Sequence, residues 1–123
     1  MADRPVLEPT PDHPITVESA GVHLRVLVGD HVVADTDDAL VLRESSYPPV
    51  YYIPRADVTD GDLTPSAHTT YCPYKGEAGY HGLRTGDGVR ADKVWFYDAP
   101  YAAVSPIAGH VAFYPDSVEF SVT

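Results

Sequence analysis

Short runs of alternating apolar and polar residues constrain the fold of this chain more than any other feature. Val22, Leu24, Val26 and Val28 alternate with other residues before a Gly29-Asp30 turn, and residues 31–34 form a second extended run. This pattern indicates a β-hairpin. Similar runs follow, separated by turn residues about every 8 to 12 positions, which is typical of sandwiches and barrels. The sequence therefore predicts an all-β, barrel-like fold of about eight to ten short antiparallel strands.

Helices contribute little to the predicted fold. No segment keeps a helical apolar period over about 11 residues, so we expect one or two short helical turns at most. Residues 59–66 are predicted to be a turn-rich loop, and residues 100–109 a linker. The later strands are predicted at residues 40–44, 50–53, 68–72, 77–83, 89–97, 110–114 and 118–122.

The length of 123 residues fits a single domain. Residues 1–14 contain four prolines and no periodicity, so we interpret them as an extended lead-in and expect no function there. The domain is expected to cover residues 15–123.

The net charge of −10, from 18 acidic and 8 basic residues, excludes the classes of partner that carry dense negative charge. Such a chain would repel a phosphate backbone or an anionic membrane surface, so we expect neither nucleic acid nor membrane as a partner. A small anionic ligand stays open, because a local cluster of cations can oppose the global charge. The cations to consider are Arg25, Arg43, Arg55, Lys75 and Arg84.

Cysteine use and apolar content indicate a cytoplasmic protein. A single cysteine cannot form an internal disulfide, and the first residues lead into no apolar signal segment. No apolar run approaches the roughly 18 to 20 residues that span a bilayer. We therefore expect a soluble protein in a reducing compartment.

The turn Cys72-Pro73-Tyr74-Lys75-Gly76 holds the only cysteine and one of the two lysines. An ammonium group beside a thiol favours the nucleophilic thiolate, which makes Cys72 and Lys75 the candidate catalytic residues. The alternative is structural: a free cysteine is commonly a small buried hydrophobe, and a lysine stem can lie along a tyrosine with its charge in water.

Two carboxylates are candidate ligand-binding groups. Glu44 shares a predicted strand face with Leu40 and Leu42, so an inward carboxylate would need a partner such as Lys75 or Arg25. Asp57 also lies between apolar residues. The alternative for both is a surface ion pair without functional meaning.

Aromatic and polar residues complete the candidate ligand site. Tyrosine and tryptophan combine an apolar face with a polar tip, which suits a small-ligand pocket, although a tyrosine-rich core is an equal alternative. His68 or His110 could act as a base for Cys72, whereas the other histidines have no special context. The remaining candidate ligand-binding residues are Tyr52, Thr70, Tyr80, Trp95, Tyr97 and His110.

Four segments, residues 52–58, 70–80, 95–100 and 107–114, carry a resemblance to a known family. In particular, the Cys72-Pro73-Tyr74-Lys75-Gly76 turn followed by a Trp95-x-Tyr97 strand resembles the bacterial and fungal domain-of-unknown-function 427 (DUF427) family over residues 17–122. The resemblance implies a β-tent fold, in which two sheets lean together with a pocket between them.

Two properties connected with this fold and family, a structural zinc and a nucleotidyltransferase-like label, can be compared with the residues of this chain. Some β-tent families hold zinc through paired Cys-x-x-Cys motifs, which one cysteine cannot supply. The family is sometimes labelled nucleotidyltransferase-like, and such transfer normally needs a metal held by close carboxylates. Asp60-Gly61-Asp62 is the one candidate, and these residues are common in plain turns.

The leading hypothesis is a pocket around the Cys72–Lys75 turn that binds or transforms a small polar molecule, with thiol- or lysine-assisted chemistry if it is an enzyme. A non-catalytic protein-interaction module is the alternative, and nucleotidyltransferase-like activity is the third. We expect no metal and no cofactor, and a homodimer is left open.

Overall fold

The structure, a computed structural model, describes residues 4–123, so the first three residues of the lead-in lie outside it. The described chain forms ten β-strands and two 3₁₀-helices, which confirms the all-β prediction. The 3₁₀-helices cover Arg55–Asp57 and Ala102–Ile107. The strands are β1 (Ile15–Ser19), β2 (Leu24–Val28), β3 (His31–Thr36), β4 (Leu40–Glu44), β5 (Val50–Pro54), β6 (Leu63–Cys72), β7 (Gly76–Thr85), β8 (Gly88–Phe96), β9 (His110–Phe113) and β10 (Glu119–Val122).

The strands form two antiparallel sheets. The larger sheet has the order β1-β4-β5-β9-β8-β7-β6, and the smaller has the order β10-β2-β3. The outermost strands of the larger sheet, β1 and β6, do not pair with each other. This sheet therefore stays open within residues 4–123 and does not close into a barrel. No helix among the same residues is long and apolar enough to cross a membrane.

The two faces of the larger sheet bury different cores, because side chains alternate across each strand. The first face packs against the smaller sheet. The opposite face, which we call the tyrosine face, carries tyrosines and packs against the second 3₁₀-helix through Val104 and Ile107. Core residues of the first face include Ile53, Leu83, Val94, Val111 and Phe113, and those of the tyrosine face include Leu42, Tyr52, Ala78, Tyr80, Tyr97 and Ala112.

One predicted loop is partly wrong. The sequence predicted a turn-rich loop over residues 59–66, but β6 already begins at Leu63. Pro65 lacks an N–H donor and is tolerated because β6 is an edge strand, paired only with β7. The pairing is also interrupted by a register shift between Pro65 and Thr69. A proline read as a loop signal thus lies within an irregular edge strand.

The last two strands belong to different sheets. β9 pairs with β5 and β8 in the larger sheet, whereas β10 pairs with β2 in the smaller one. The link between them is closed by a hydrogen bond from the Ser117 N–H to the Tyr114 carbonyl at 3.0 Å. These few residues therefore carry the chain from one sheet to the other.

Gly79 provides a test of the β7–β8 packing. It lies opposite Phe96, and a Cβ atom there would come 2.5 Å from Phe96 Cζ. The Phe96 ring is also held by stacking on His81, with ring centroids 4.8 Å apart. We expect Gly79→Ala to lower the free energy of unfolding by about 1 to 3 kcal/mol, as overpacking does, measured by urea denaturation.

Gly86→Ala is the matched control, because an added Cβ there meets no atom within 4 Å. Its stability should stay equal to or slightly above that of the unmodified protein, since alanine restricts the unfolded chain. Equal stability of the Gly79→Ala and Gly86→Ala variants would show that the Phe96 ring does not lie over Gly79.

Candidate functional site

The Cys72–Gly76 turn joins β6 to β7 and directs Lys75 inward. Cys72 pairs with Gly76 across the turn, and the Lys75 N–H donates to the Cys72 carbonyl at 3.2 Å. Gly76 has φ +111°, a conformation that favours glycine. The Lys75 side chain is left only 10% exposed, so its ammonium group needs a partner inside the protein.

Glu44 is that partner. It is the last residue of β4, and its Oε1 accepts a hydrogen bond from Lys75 Nζ. Both side chains are largely buried, with exposed fractions of 14% and 10%. Of the two cations that the sequence offered to Glu44, the structure uses Lys75, while Arg25 pairs with Asp35 at 3.3 Å.

His13 is a site residue that sequence reasoning missed. Its Nε2 lies 2.7 Å from Glu44 Oε2, and its ring stacks on Tyr74 with centroids 4.2 Å apart. Each Glu44 oxygen therefore has its own nitrogen partner. The sequence placed His13 in a proline-rich lead-in without function. Only the pairing of Ile15 with Glu44 in the β1–β4 register brings it close, and this long-range register is not readable from composition.

Burial and hydrogen bonding set the ionisation of the site. Burial alone would raise the pKa of Glu44, but the hydrogen bonds and charges of Lys75 and His13 together outweigh it and hold the pKa below its usual value. Burial raises the pKa of Tyr52 to about 12 against the opposing hydrogen bond from Trp95. It also raises the pKa of Tyr97. The carboxylate is thus ionised near neutral pH, whereas both phenols stay neutral.

A cavity of about 250 Å³ lies on the tyrosine face beside the Lys75–Glu44 pair. Six of the predicted site residues line it, together with Tyr47 and Tyr114, which the sequence did not single out. Tyr47 and Tyr114 are 64% and 37% exposed and so face solvent. The Trp95 Nε1–H donates to the Tyr52 hydroxyl at 3.2 Å, which fixes two rings of the wall. The predicted residues that line the cavity are Glu44, Tyr52, Lys75, Tyr80, Trp95 and Tyr97.

Two further predicted residues support the cavity without lining it. Cys72 packs against the core of the tyrosine face, and its Sγ accepts a long hydrogen bond from Lys75 Nζ at 3.8 Å. The Thr70 hydroxyl hydrogen-bonds the Tyr80 hydroxyl at 2.9 Å. Both contacts position a residue of the cavity wall.

The last two predicted residues lie elsewhere. Asp57 accepts a hydrogen bond from the Thr36 hydroxyl at 2.7 Å and so ties the first 3₁₀-helix to β3. His110 lines a separate cavity, and its Nδ1 donates to the Ala108 carbonyl at 2.9 Å. The structure does not bring either residue to the Lys75–Glu44 cavity.

The Asp60-Gly61-Asp62 turn was the candidate metal site. Asp62 Oδ2 lies 2.7 Å from His31 Nε2, and Asp60 is exposed. Over residues 4–123, no three histidine, cysteine, aspartate or glutamate side chains are grouped so as to hold a metal ion. The geometry of this turn gives Asp62 a protein partner.

Fold and site together define a small all-β protein with an aromatic cavity next to a buried ion pair. Residues 16–123 match the family described as Domain of unknown function (DUF427), and the chain belongs to this family. The resemblance found in the sequence is thereby confirmed. The chain matches none of the curated proteins with which it was compared.

The Lys75–Glu44 pair can be tested by a double-mutant cycle. Lys75→Met should lower the free energy of unfolding by about 3 kcal/mol, because it leaves the Glu44 charge buried without the ammonium. Adding Glu44→Leu should recover a large part of that loss, since two apolar side chains can replace a buried pair. Urea denaturation of the four proteins should give a coupling energy of about 2 kcal/mol.

The control cycle uses Lys93→Met and Asp116→Leu. This pair has a 3.6 Å separation and exposed fractions of 36% and 71%, so its coupling should stay below about 1 kcal/mol. A coupling energy between Lys75 and Glu44 as small as that of the control pair would contradict a buried ion pair.

Acid stability provides a separate prediction for Glu44. A carboxyl whose pKa is lowered on folding stabilises the protein fully above its unfolded value of 4.5, and this contribution is lost as the pH falls further. Glu44→Gln should therefore reduce the loss of stability that accompanies acidification below about pH 4.5. Thermal denaturation at a series of pH values measures this loss. Glu18→Gln, at an exposed strand position, should keep the slope of the unmodified protein. Identical acid slopes for both variants would refute the assignment.

Proposed function

We propose that the cavity beside Lys75 and Glu44 binds a small uncharged molecule that has a planar or apolar body and a hydrogen-bond acceptor next to a donor. The observation that supports this most is the position of a buried, fully formed ion pair at the edge of an aromatic cavity. Lys75 Nζ can donate to such a ligand, and Glu44 can accept from it.

An uncharged ligand fits the electrostatics of the pair. The ammonium and carboxylate neutralise each other, so the cavity offers no net charge to an ion. A charged ligand would compete with one partner and leave the other buried without compensation, which costs several kcal/mol. A neutral amide-like group can hydrogen-bond both partners without separating them.

The walls favour a small flat body. The volume of about 250 Å³ is below the roughly 300 to 1,000 Å³ of drug-sized pockets. Tyr52, Trp95 and Tyr97 supply ring faces, and aromatic contacts of this kind contribute beyond their buried area.

Binding is favoured over thiol chemistry because of where Cys72 lies. Lys75 is engaged by Glu44 and only distantly by Cys72, whose Sγ is not part of the cavity wall. In this proposal Cys72 helps to position Lys75. An interaction module would use the same aromatic residues only as core, and nucleotidyl transfer would need carboxylates placed for a metal.

Fluorescence of Trp95, the only tryptophan in the chain, provides the test. We expect benzamide and acetanilide to change its emission saturably, and to bind at least about tenfold more tightly than benzylammonium or benzoate, a difference of 1.4 kcal/mol. Lys75→Met should abolish the preference for the amides. Tyr47→Ala, at an exposed residue of the cavity, should weaken binding without affecting folding.

Arg43→Met is the matched control, because it removes a positive charge from the residue next to Glu44 at an exposed position. Its binding should equal that of the unmodified protein. No change in Trp95 emission at about 10 mM amide, a concentration that detects millimolar binding, would reject the proposal and favour the interaction module. An equal response to benzylammonium would also reject it.

A further inference from the structure

A second cavity, of about 320 Å³, lies where β5 and β8 end and β9 begins. Its base is fixed by the backbone, because the Arg55 N–H donates to the Gly109 carbonyl at 2.9 Å and Pro54 pairs with His110. Arg55, His81, Asp98 and His110 all line it. Four groups that can carry charge thus border one cavity in a chain whose cations are scarce.

We propose that this second cavity binds a small carboxylate, held by the guanidinium of Arg55. Within residues 4–123, no carboxylate oxygen lies within 4.0 Å of the Arg55 side chain. Among the same residues, Arg43, Arg84 and Arg90 form no such ion pair either, so what supports Arg55 is its place beside two histidines in one cavity. The planar fork of arginine can bind a carboxylate through two parallel hydrogen bonds.

Both histidines of the cavity hold their Nδ1 atoms against backbone carbonyls. Nδ1 of His81 lies 3.3 Å from the Thr64 carbonyl, and Nδ1 of His110 lies 2.9 Å from the Ala108 carbonyl. A carbonyl can only accept, so each Nδ1 carries the hydrogen atom. In the neutral ring Nε2 then carries a lone pair, and it becomes an N–H donor when the ring is protonated.

The charge balance makes binding dependent on pH. With a neutral His81, Arg55 and Asp98 cancel, and protonation of His81 adds a positive charge. Burial lowers the pKa of His81 and the charge of Arg55 lowers it further, against the opposing hydrogen bond to the Thr64 carbonyl and the charge of Asp98. Tyr97, the other titratable residue of the wall, stays neutral because burial raises its pKa. A bound carboxylate would favour the protonated form of His81, so binding takes up a proton and tightens as the pH falls.

The remaining wall residues select among anions. Asp98 repels a second negative charge, which favours a monoanionic carboxylate over a phosphate dianion. Phe96 and Val111 add apolar surface for a hydrocarbon body. His81 is itself held against the Phe96 ring, so the donor and the apolar wall are fixed together.

This second site is independent of the proposed amide site. Val111 and Phe96 pack with the core of the first face, whereas Tyr52 and Tyr80 belong to the tyrosine face. Tyr97 lines both cavities and is the one residue that they share. Failure of one proposal therefore leaves the other standing.

An NMR titration of the full chain with benzoate tests the proposal. Benzoate should shift the imidazole signals of His81 and His110 and the amide signal of Gly109, with a Kd at least about threefold lower at pH 5.5 than at pH 7.5, because His81 is protonated more at the lower pH. Benzyl alcohol, the uncharged counterpart, should leave these signals unchanged. At pH 7.5, where inorganic phosphate is mainly a dianion, it should bind more weakly than benzoate.

Two arginine variants separate the site from general charge effects. Arg55→Gln should weaken benzoate binding at least about tenfold, and Arg55→Lys several-fold, because lysine keeps the charge but loses the fork. Arg43→Gln, the same charge change at an exposed position on β4, should stay within about twofold, as expected of a distant surface charge. Undiminished binding by Arg55→Gln, or equal shifts from benzyl alcohol, would overturn the site. Tighter binding of phosphate would overturn the assignment to carboxylates.

Discussion

The buried ion pair between Glu44 and Lys75 is the interaction on which the shape of the protein depends. Lys75 adjoins the start of β7, and three strands separate β7 from β4 in the sheet. Four strand spacings of about 4.8 Å would place the two elements about 19 Å apart in a flat sheet. A direct hydrogen bond between them requires the sheet to curl around the tyrosine face. Hydrophobic burial of Val104 and Ile107 fills part of the enclosed space.

The lead-in reinforces the same curl of the sheet. The Leu7 N–H donates to the Pro73 carbonyl at 2.9 Å, and His13 bonds Glu44 at the other side of the gap. The segment from Leu7 to His13 therefore connects the Cys72–Gly76 turn to the end of β4, as the ion pair does. The space that the aromatic rings of the tyrosine face leave unfilled is the cavity, and Lys75 and Glu44 lie at its edge. The candidate site is thus a consequence of how the open sheet curls.

Much of the fold could be predicted because it is encoded locally. Alternation and turn residues located the hairpin of β2 and β3, and strand parity placed Glu44 on the face of Leu42. Long-range pairing was not accessible in the same way. Three features depend on register or sheet order: the approach of His13 to Glu44, the transfer of the chain between sheets after β9, and the position of His110 outside the Lys75–Glu44 cavity. The beginning of β6 was missed because Pro65 has opposite meanings in a loop and at a sheet edge.

The partners of the charged groups were likewise predictable only in part. The sequence indicated that an inward Glu44 would need Lys75 or Arg25, since a buried carboxylate requires a partner. It could not indicate that the ammonium would favour the carboxylate over the thiol of Cys72, because that depends on distances across the curled sheet. The sequence suggested that Cys72 and Lys75 form a reactive pair, whereas in the structure Lys75 mainly forms an ion pair with Glu44.

NMR of the lysine ammonium groups tests this account most directly, because the chain has only two lysines, Lys75 and Lys93. A buried, hydrogen-bonded Lys75 should give an ammonium signal that exchanges slowly with water and shows coupling to the Glu44 carboxylate, and benzamide should shift it while Lys93 stays unchanged. Exchange of the Lys75 signal as rapid as that of Lys93, with no response to benzamide, would contradict both the buried ion pair and the binding site beside it.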